Sequence, residues 1–233
     1  MKKTPTISII IPVLNEENYI KKLLDYLKPY QATSLLKEII VIDGGSSDHT
    51  LKIISEYQVK VFRSEKGRAK QMNLAAKHAT GDILYFLHVD TKPPENFHFE
   101  ILQAVKHNFK AGCFRMRFNS RNLFLAFFAY FSRFNHIICR GGDQSLFVTR
   151  HLFEKAGRFN EDYIIYEDTE FIGRLYKLCN FKVIPNYVTT SARKYNQVGT
   201  AKLQYYFGVI HFKRLFGAKP ENLYQYYKRK ITV

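Results

Sequence analysis

Apolar positions in the first ninety residues fall into two patterns that alternate along the chain. Continuous apolar runs predict strands covered on both faces at 6–13, 39–42, 59–62 and 82–87. Apolar residues at helical spacing predict helices between them, at 19–29, 51–57 and 67–80. Strands that alternate with helices through short links predict an α/β fold, with a mostly parallel central sheet flanked by helices.

The second half of the chain is less regular. Helices are predicted at 95–108, at 151–157 and from residue 166, and strands at 112–118, within 141–150 and at 182–185. The tail over 199–230 is rich in Tyr, Phe, Lys and Arg and is predicted to be helical. We therefore expect one domain over 1–198 and a basic, aromatic, helical extension over 199–233.

Charge is the compositional feature that departs from an ordinary globular protein. The chain has 36 lysines and arginines against 20 aspartates and glutamates, a net charge of +16. Such a surface attracts polyanions, anionic lipid headgroups and phosphorylated small molecules. No helix-turn-helix, zinc-finger or RNP-type signature is present, and the basic residues are scattered along the chain. We therefore expect phosphate-bearing substrates rather than nucleic acid.

Three sequence features favour a cytoplasmic location. Cys113, Cys139 and Cys179 are far apart and form no CxxC pair, which is typical of reduced structural thiols. The apolar run near the N-terminus is short, contains Ser8 and Pro12 and lacks a small-residue cleavage site, so we expect no signal peptide. No uninterrupted apolar run reaches about 18 residues, so no membrane-spanning helix is predicted.

Polar side chains come directly after two of the predicted strands. Asp43 follows the second strand, and His88 and Asp90 follow the fourth. In parallel α/β sheets, ligands bind outside the carboxyl ends of the strands. Residues two apart at a strand end point the same way, so His88 and Asp90 are predicted to form half of a divalent-cation site. The alternative is a solvated strand end followed by a turn.

Four motifs in this order resemble the family 2 inverting glycosyltransferases with the GT-A fold. They are IIPVLNEEN (10–18), VIDGGSSDHT (41–50), GRAKQMNLAAKHATGDILYFLHVDT (67–91) and YEDTEF (166–171). The resemblance covers roughly residues 6–195. It is closest to the bacterial arsenosugar-biosynthesis-like group, which shares the LH-x-DT form, a GGDQ segment and an ED pair before a helix. It implies a GT-A fold and a nucleoside diphosphate sugar donor.

The resemblance also implies a nucleotide pocket at the ends of the first two strands. Asp43 would accept a hydrogen bond from a ring N–H of the base, typically uracil. Glu16 and the backbone from Pro12 to Asn15 would line the same pocket. The alternative for Asp43 is an ordinary aspartate bonded within its own turn. Asp48 precedes a helix and is interpreted as structural.

Arg68 and Asn73 would lie near the nucleotide, by the same resemblance, and Arg193 with Lys194 would close over the diphosphate. For the basic side chains the alternative is a solvated charge at a helix end or on an open face. Gly141 and Gly142 permit close backbone approach. The GGDQ segment is therefore expected to frame the sugar or acceptor pocket.

The resemblance assigns Asp90, with His88, to an Mg²⁺ or Mn²⁺ ion that binds the diphosphate. The family more often has aspartate at both outer positions of this motif. His88 therefore favours Mn²⁺ or leaves Asp90 as the only direct protein ligand. Charge neutralisation of this kind assists the breaking of the glycosidic C–O bond.

Inversion requires a carboxylate that takes the acceptor's proton on the face opposite the diphosphate. By resemblance the ED pair supplies it, with Asp168 as the base and Glu167 positioning it. Adjacent acids at a helix start also complement the helix dipole, which is the structural alternative. Asp143 and Gln144 of the GGDQ segment are expected to bond hydroxyl groups of the sugar or acceptor.

Aromatic residues recur at helical spacing over 123–134 and are frequent over 203–228. They indicate either core packing or peripheral contact with the inner face of an anionic membrane. The expected function is transfer of a sugar from a nucleoside diphosphate sugar to a hydroxyl acceptor of unknown identity. The expected donor is a UDP sugar. The alternatives are a polyprenyl-phosphate sugar synthase at the membrane face and a non-catalytic basic adaptor that binds nucleic acid or membrane.

Overall fold

The computed structural model describes residues 4–231, and within them eight strands form one sheet. The strands are β1 (Ile7–Val13), β2 (Leu36–Asp43), β3 (Lys60–Arg63), β4 (Ile83–Phe86), β5 (Thr91–Lys92), β6 (Ala111–Phe118), β7 (Leu146–Thr149) and β8 (Phe181–Thr190). Their spatial order is β3-β2-β1-β4-β7-β6-β8-β5. The pairings on both sides of β1, β2 with β3, and β6 with β8 are parallel, whereas β7 and β5 run antiparallel to their neighbours.

Helices connect these strands and cover both faces of the sheet. They are α1 (Glu17–Leu27), α2 (Thr50–Ile54), α3 (Arg68–His78), α4 (Phe97–Lys106), α5 (Leu123–Tyr130), α6 (Arg150–Lys155), α7 (Glu167–Leu178), α8 (Arg193–Val198), α9 (Thr200–Leu215) and α10 (Pro220–Lys230). Short 3₁₀ turns lie at Lys28–Ala32, Phe131–Arg133, Ile137–Cys139 and Gly142–Gln144. No helix within residues 4–231 has both the length and the hydropathy that a membrane span requires.

Strand β1 is buried along its whole length because it pairs with β2 and β4 and carries apolar layers on both faces. Ile9 and Ile11 belong to the layer that includes α1 and α4, and Ile10 belongs to the layer of α3, α6 and α7. Because β1, β2 and β4 are parallel, their carboxyl ends meet at one edge of the sheet. The predicted α/β fold is confirmed.

The structure also departs from the pattern-based prediction. Strand β4 ends at Phe86 rather than at residue 87, and β8 extends to Thr190, well beyond the predicted 182–185. The two-residue strand β5 was not predicted, because two residues produce no periodic signal. The tail is interrupted: α9 ends at Leu215, and Gly217 adopts a left-handed conformation (φ 80°) before α10 begins.

The C-terminal helices are tied to the rest of the chain by a third apolar cluster. Leu203 and Leu223, both buried, pack with Leu125, Tyr163 and Tyr195. The Lys194 ammonium lies over the rings of Tyr227 and Phe207. These contacts join α9 and α10 to segments on either side of α7: Tyr163 lies before the start of α7, and Tyr195 lies after its end.

A stability prediction follows from Gly112, which pairs with both β7 and β8. A Cβ at this position would lie 2.3 Å from the Lys182 carbonyl oxygen and 2.6 Å from the Phe147 ring. Gly112→Ala is therefore expected to lower the free energy of unfolding by about 3 kcal/mol, through overpacking against the backbone. Chemical denaturation measures it. Gly208→Ala is the matched control: its Cβ meets nothing within 4 Å, and it should leave stability equal or higher. Equal stability of the two variants would contradict the close packing at Gly112.

Candidate active site

Two loops at the carboxyl edge of the sheet are joined by hydrogen bonds. The Asn15 backbone N–H donates to Ser46 Oγ at 2.9 Å, and Ser47 N–H donates to Asn15 Oδ1 at 2.8 Å. Asn15 has a left-handed backbone (φ 54°), which is uncommon outside glycine. Pro12, predicted to line this pocket, is paired with Ile42 and buried within β1.

The Asp43 carboxylate is buried and accepts hydrogen bonds from Gly45 N–H (3.0 Å) and Ser46 N–H (3.1 Å). These are the turn bonds named above as the alternative for Asp43. Asp43 therefore holds the 44–47 turn beside Asn15, and its contact with a base stays a prediction. Asp48 has the expected structural role, since it accepts from Thr50 N–H at 3.0 Å.

Arg193 connects the first loop to the segment after β4. Its guanidinium donates two hydrogen bonds to the Glu16 carboxylate, at 2.7 and 2.6 Å, and its Nε lies 3.3 Å from Asp90 Oδ2. The Tyr19 ring lies under the same guanidinium, 4.4 Å away. The hydrogen bonds with Glu16, reinforced by the charge of Asp90, raise the pKa of Arg193. Three predicted site residues that are remote in sequence thus meet here.

The expected His88–Asp90 pair is corrected by the structure. The prediction placed both residues on one strand, but β4 ends at Phe86. The segment 88–91 is a turn, closed by a hydrogen bond of 3.1 Å from the Thr91 N–H to the His88 carbonyl oxygen. Period-2 geometry therefore does not apply to this pair. Asp90 faces Arg193, whereas His88 Nε2 lies 3.5 Å from Asp168 Oδ2.

His88 and Asp168 form a pair in a nearly closed part of the site, with side chains 13% and 11% exposed. Burial disfavours both charges, but the hydrogen bond and mutual attraction prevail: they raise the pKa of His88 and lower that of Asp168. Gly142 packs directly against the pair, because a Cβ there would lie 2.1 Å from Asp168 Oδ2 and 3.1 Å from His88 Cε1.

Glu167, next to Asp168 at the start of α7, is 1% exposed and lies 2.8 Å from Arg68 Nε. Burial raises the pKa of the Glu167 carboxyl, and the Arg68 charge acts against it. Arg68 itself is 44% exposed and so reaches the open cleft. Tyr166, which precedes the pair, has a left-handed backbone (φ 73°) that α7 and the Tyr166–His211 hydrogen bond hold in place.

Asp143 lies between the two halves of the site. Loss of surrounding water raises the pKa of the Asp143 carboxyl, and the negative charges of Asp90 and Asp168 raise this pKa further. The positive charges of His88 and Arg68 lower it. These four groups are therefore all close enough to act on one exposed side chain. Asp90 and Asp168 are therefore both near Asp143, and Glu16 is linked to Asp90 through Arg193.

Two other predicted site residues are committed to the fold instead. The Asn73 amide donates to Phe159 O and Glu161 Oε1 and accepts from Phe159 N–H, so all of its polar atoms hold the 159–161 loop. Gln144 is 4% exposed and donates to Cys139 O. Nucleotide contact by Asn73 and hydroxyl contact by Gln144 stay predictions, and in this structure both side chains hold neighbouring loops.

Arg140 is a residue that the sequence reasoning missed. It is 3% exposed and donates to Gln144 Oε1 (2.6 Å), Ser132 O (2.8 Å) and Phe134 O. Its only signal in the sequence is its position before Gly141-Gly142, because a buried arginine looks like any surface arginine. Arg140 fixes the GGDQ turn from behind and so places Gly142 on Asp168.

The cation that the resemblance implies fits this site only in part. Within residues 4–231, no group of three or more His, Cys, Asp or Glu side chains is arranged to hold a metal. Mg²⁺ is nevertheless commonly bound by one or two carboxylates together with substrate phosphates. The Asp90 carboxylate, 17% exposed and facing the cleft, suits that arrangement, whereas His88 is turned toward Asp168.

The mixed α/β sheet, with acidic and basic side chains gathered at the carboxyl ends of its parallel strands, has the GT-A architecture of the glycosyltransferases compared below. The family model described as "Glycosyl transferase family 2" matches residues 8–160, and the chain belongs to that family. The probable glycosyltransferase YdaM of Bacillus subtilis is 25% identical over 203 residues, 76% of this chain and 48% of the relative. The chain thus spans about half the length of that relative.

Two solved structures show the same fold. One is Staphylococcus aureus TarS residues 1–349 in complex with UDP-GlcNAc; the TM-score is 0.65 at 22% identity, covering 80% of this chain and 58% of that one. The other is the mannosyltransferase PcManGT of Pyrobaculum calidifontis in complex with GDP-Man and Mn²⁺. Its TM-score is 0.68 at 18% identity, covering 99% of this chain and 69% of that one.

Proposed function

We propose that the protein transfers a sugar, with inversion, from a nucleoside diphosphate sugar to a hydroxyl acceptor. The donor that we propose is a UDP sugar. The observation that carries the proposal is that the Asp90–Arg193 pair and the His88–Asp168 pair both lie near Asp143, at the end of the sheet where the parallel strands terminate. Family membership and the nucleotide sugars bound by similar structures support it. We further propose that it is related to the arsenosugar-biosynthesis-like group, because it has LH-x-DT, GGDQ and ED segments.

The donor would lie along the edge formed by the first two loops. Asn15, Glu16 and the turn held by Asp43 would line the nucleotide side. Arg193 is already positioned between Glu16 and Asp90, so its guanidinium can turn from these carboxylates to the oxygens of a diphosphate. Arg68, half-exposed beside Glu167, would supply a second positive charge.

Asp168 would take the acceptor's proton. The acceptor oxygen attacks the anomeric carbon, the bond from that carbon to the diphosphate oxygen breaks, and the hydroxyl proton passes to an Asp168 carboxylate oxygen. The lowered pKa keeps Asp168 ionised at neutral pH, and His88 fixes the orientation of the carboxylate. Asp143, exposed beside them, is suited to accept a hydrogen bond from a sugar or acceptor hydroxyl.

Mg²⁺ or Mn²⁺ would be held by Asp90. When bound, such an ion neutralises charge that develops on the diphosphate leaving group. Among the described residues Asp90 is the ligand we propose, and Arg193 must release it when the ion binds. This competition predicts that the ion binds strongly only together with a diphosphate, which both recruits Arg193 and adds its own oxygen ligands.

A thermal-shift experiment tests this proposal. UDP with Mn²⁺ is expected to raise the melting temperature more than UDP alone, because a ligand that prefers the folded state stabilises it. Asp90→Ala should abolish the Mn²⁺-dependent part and retain a shift with UDP alone. The matched control is Asp162→Ala, an exposed aspartate, which should behave as the unaltered protein. An undiminished Mn²⁺ effect in Asp90→Ala would contradict the assignment of Asp90.

A further inference from the structure

The outer side of residues 123–138 is a continuous apolar surface. Its members are large hydrophobic residues that are each 37–84% exposed, and we call them the aromatic patch: Leu123, Phe124, Phe127, Tyr130, Phe131, Phe134, Ile137 and Ile138. Ring contacts connect it internally, with centroids 5.1 Å apart for Phe127–Phe131 and 6.1 Å for Phe131–Phe134. Single exposed apolar residues are ordinary, but a contiguous patch of this kind marks an interaction surface.

The charged residues of the segment that carries the aromatic patch all have one sign. From residue 101 to residue 142 the sequence contains no aspartate or glutamate, whereas it contains Lys106, Lys110, Arg115, Arg117, Arg121, Arg133 and Arg140. Arg121 and Arg117 are exposed, and the Arg133 guanidinium lies 3.5 Å from the centre of the Tyr130 ring. The partner of this surface must therefore be apolar in its interior and anionic at its boundary.

We propose that the aromatic patch docks onto the surface of an anionic lipid bilayer. Exposed aromatic rings with arginines beside them match the layered chemistry of acyl chains beneath anionic headgroups. Helix α5 has eight residues, so it lies in the interface rather than crossing it. A second copy of the chain fits less well, because a symmetric contact would bring the same arginines together without any carboxylate from this segment.

The aromatic patch is coupled to the acceptor side of the cleft. Buried Arg140 bonds Ser132 O within the patch segment and Gln144 within the GGDQ turn, whose Gly142 packs on Asp168. Ile137 packs against Gly173 of α7, the helix that carries Asp168 at its start. Docking would thus bring the acceptor side of the site to the lipid surface. This consequence, an acceptor presented from the membrane, rests on the proposed function; the docking itself does not.

Vesicle co-sedimentation tests the docking. The protein is expected to bind vesicles of phosphatidylcholine with about 30% phosphatidylglycerol, and to bind pure phosphatidylcholine at least tenfold more weakly. Phe127→Ser/Phe131→Ser should weaken binding by more than tenfold. Arg121→Glu should weaken it by about fivefold or more, since one basic residue near such a surface contributes about a factor of five. The matched control is Phe212→Ser/Phe216→Ser, an aromatic pair exposed by 61% and 76% at the C-terminal end of α9, which should change binding little.

Several results would overturn the proposal. They are equal binding to both kinds of vesicle, equal losses in the patch and control variants, and sedimentation velocity showing a dimer that only the patch variant dissociates. A cooperative melting transition without ligand, measured on every variant, confirms that each is folded. The UDP thermal shift of the unaltered protein separates the two proposals: failure of the unaltered protein to bind anionic vesicles, with an intact UDP response, contradicts only the docking. Vesicle binding without any UDP response contradicts only the glycosyltransferase.

Discussion

Asp168→Asn is expected to lower the rate of sugar transfer by about a thousandfold while donor binding persists. The substitution keeps the shape of the side chain but removes the carboxylate that takes the acceptor's proton, and general bases contribute roughly 10²–10⁴ to a rate. The UDP thermal shift should be unchanged, because Asp168 contacts His88 and Gly142 rather than the loops after β1 and β2. A UDP-release assay with the natural acceptor, or donor hydrolysis in its absence, measures the rate.

Asp162→Asn is the control for this experiment, since Asp162 is exposed six residues earlier and its side chain lies outside the site. Full activity in Asp168→Asn toward a hydroxyl acceptor would contradict the proposed base. Retained activity with a polyprenyl phosphate as acceptor would instead favour the polyprenyl-phosphate sugar synthase, because a phosphate nucleophile is already ionised and needs no base. That outcome would leave the donor half of the site in place.

Gly142→Ala is expected to lower activity by about a hundredfold with a much smaller effect on UDP binding. The added Cβ would lie 2.1 Å from Asp168 Oδ2, so the carboxylate must move away from His88 and from the acceptor position. Displacement of a reacting group by about 1 Å can cost a factor of 100 in rate. Steady-state kinetics should show the loss mainly in kcat.

The neighbouring glycine supplies a matched control. A Cβ on Gly141 meets nothing within 4 Å, and its extended backbone (φ −162°) suits any residue, so Gly141→Ala should retain activity. Equal activity of the two alanine variants would show that the GGDQ turn does not position Asp168. Equal loss in both would indicate that the turn tolerates no side chain for reasons other than this contact.

Strands β1, β2 and β4 of the parallel half could be predicted from the sequence because they are buried on both faces over most of their length, whereas the edge strand β3 is largely exposed. Ile9, Ile10 and Ile11 need no alternation, and a continuous apolar run is the direct record of that environment. The full length of β8 could not be predicted, because the exposed Pro185 and Asn186 interrupt its apolar pattern. Its extension past residue 185 depends on pairing with β6 and β5, which is a tertiary effect.

Several residues of the candidate site could be proposed from the sequence, but which of them face each other could not. The four motifs contain Glu16, Asp90 and Asp168, yet nothing local indicated that His88 would face Asp168 instead of Asp90. That choice depends on where β4 ends and on the turn at 88–91. Buried polar roles were missed for the same reason: Arg140 and Gln144 resemble surface residues until the loop that encloses them is folded.

The most direct test of the account is a crystal structure of the protein with UDP and Mn²⁺, with the ion located by its anomalous signal. We expect the uracil beside the Asp43 turn and the ion between the diphosphate and Asp90. Arg193 should be turned from Asp90 to the phosphates, and Asp168 should face the space beyond the diphosphate. A nucleotide bound away from the loops after β1 and β2, or an ion bound away from Asp90, would contradict it.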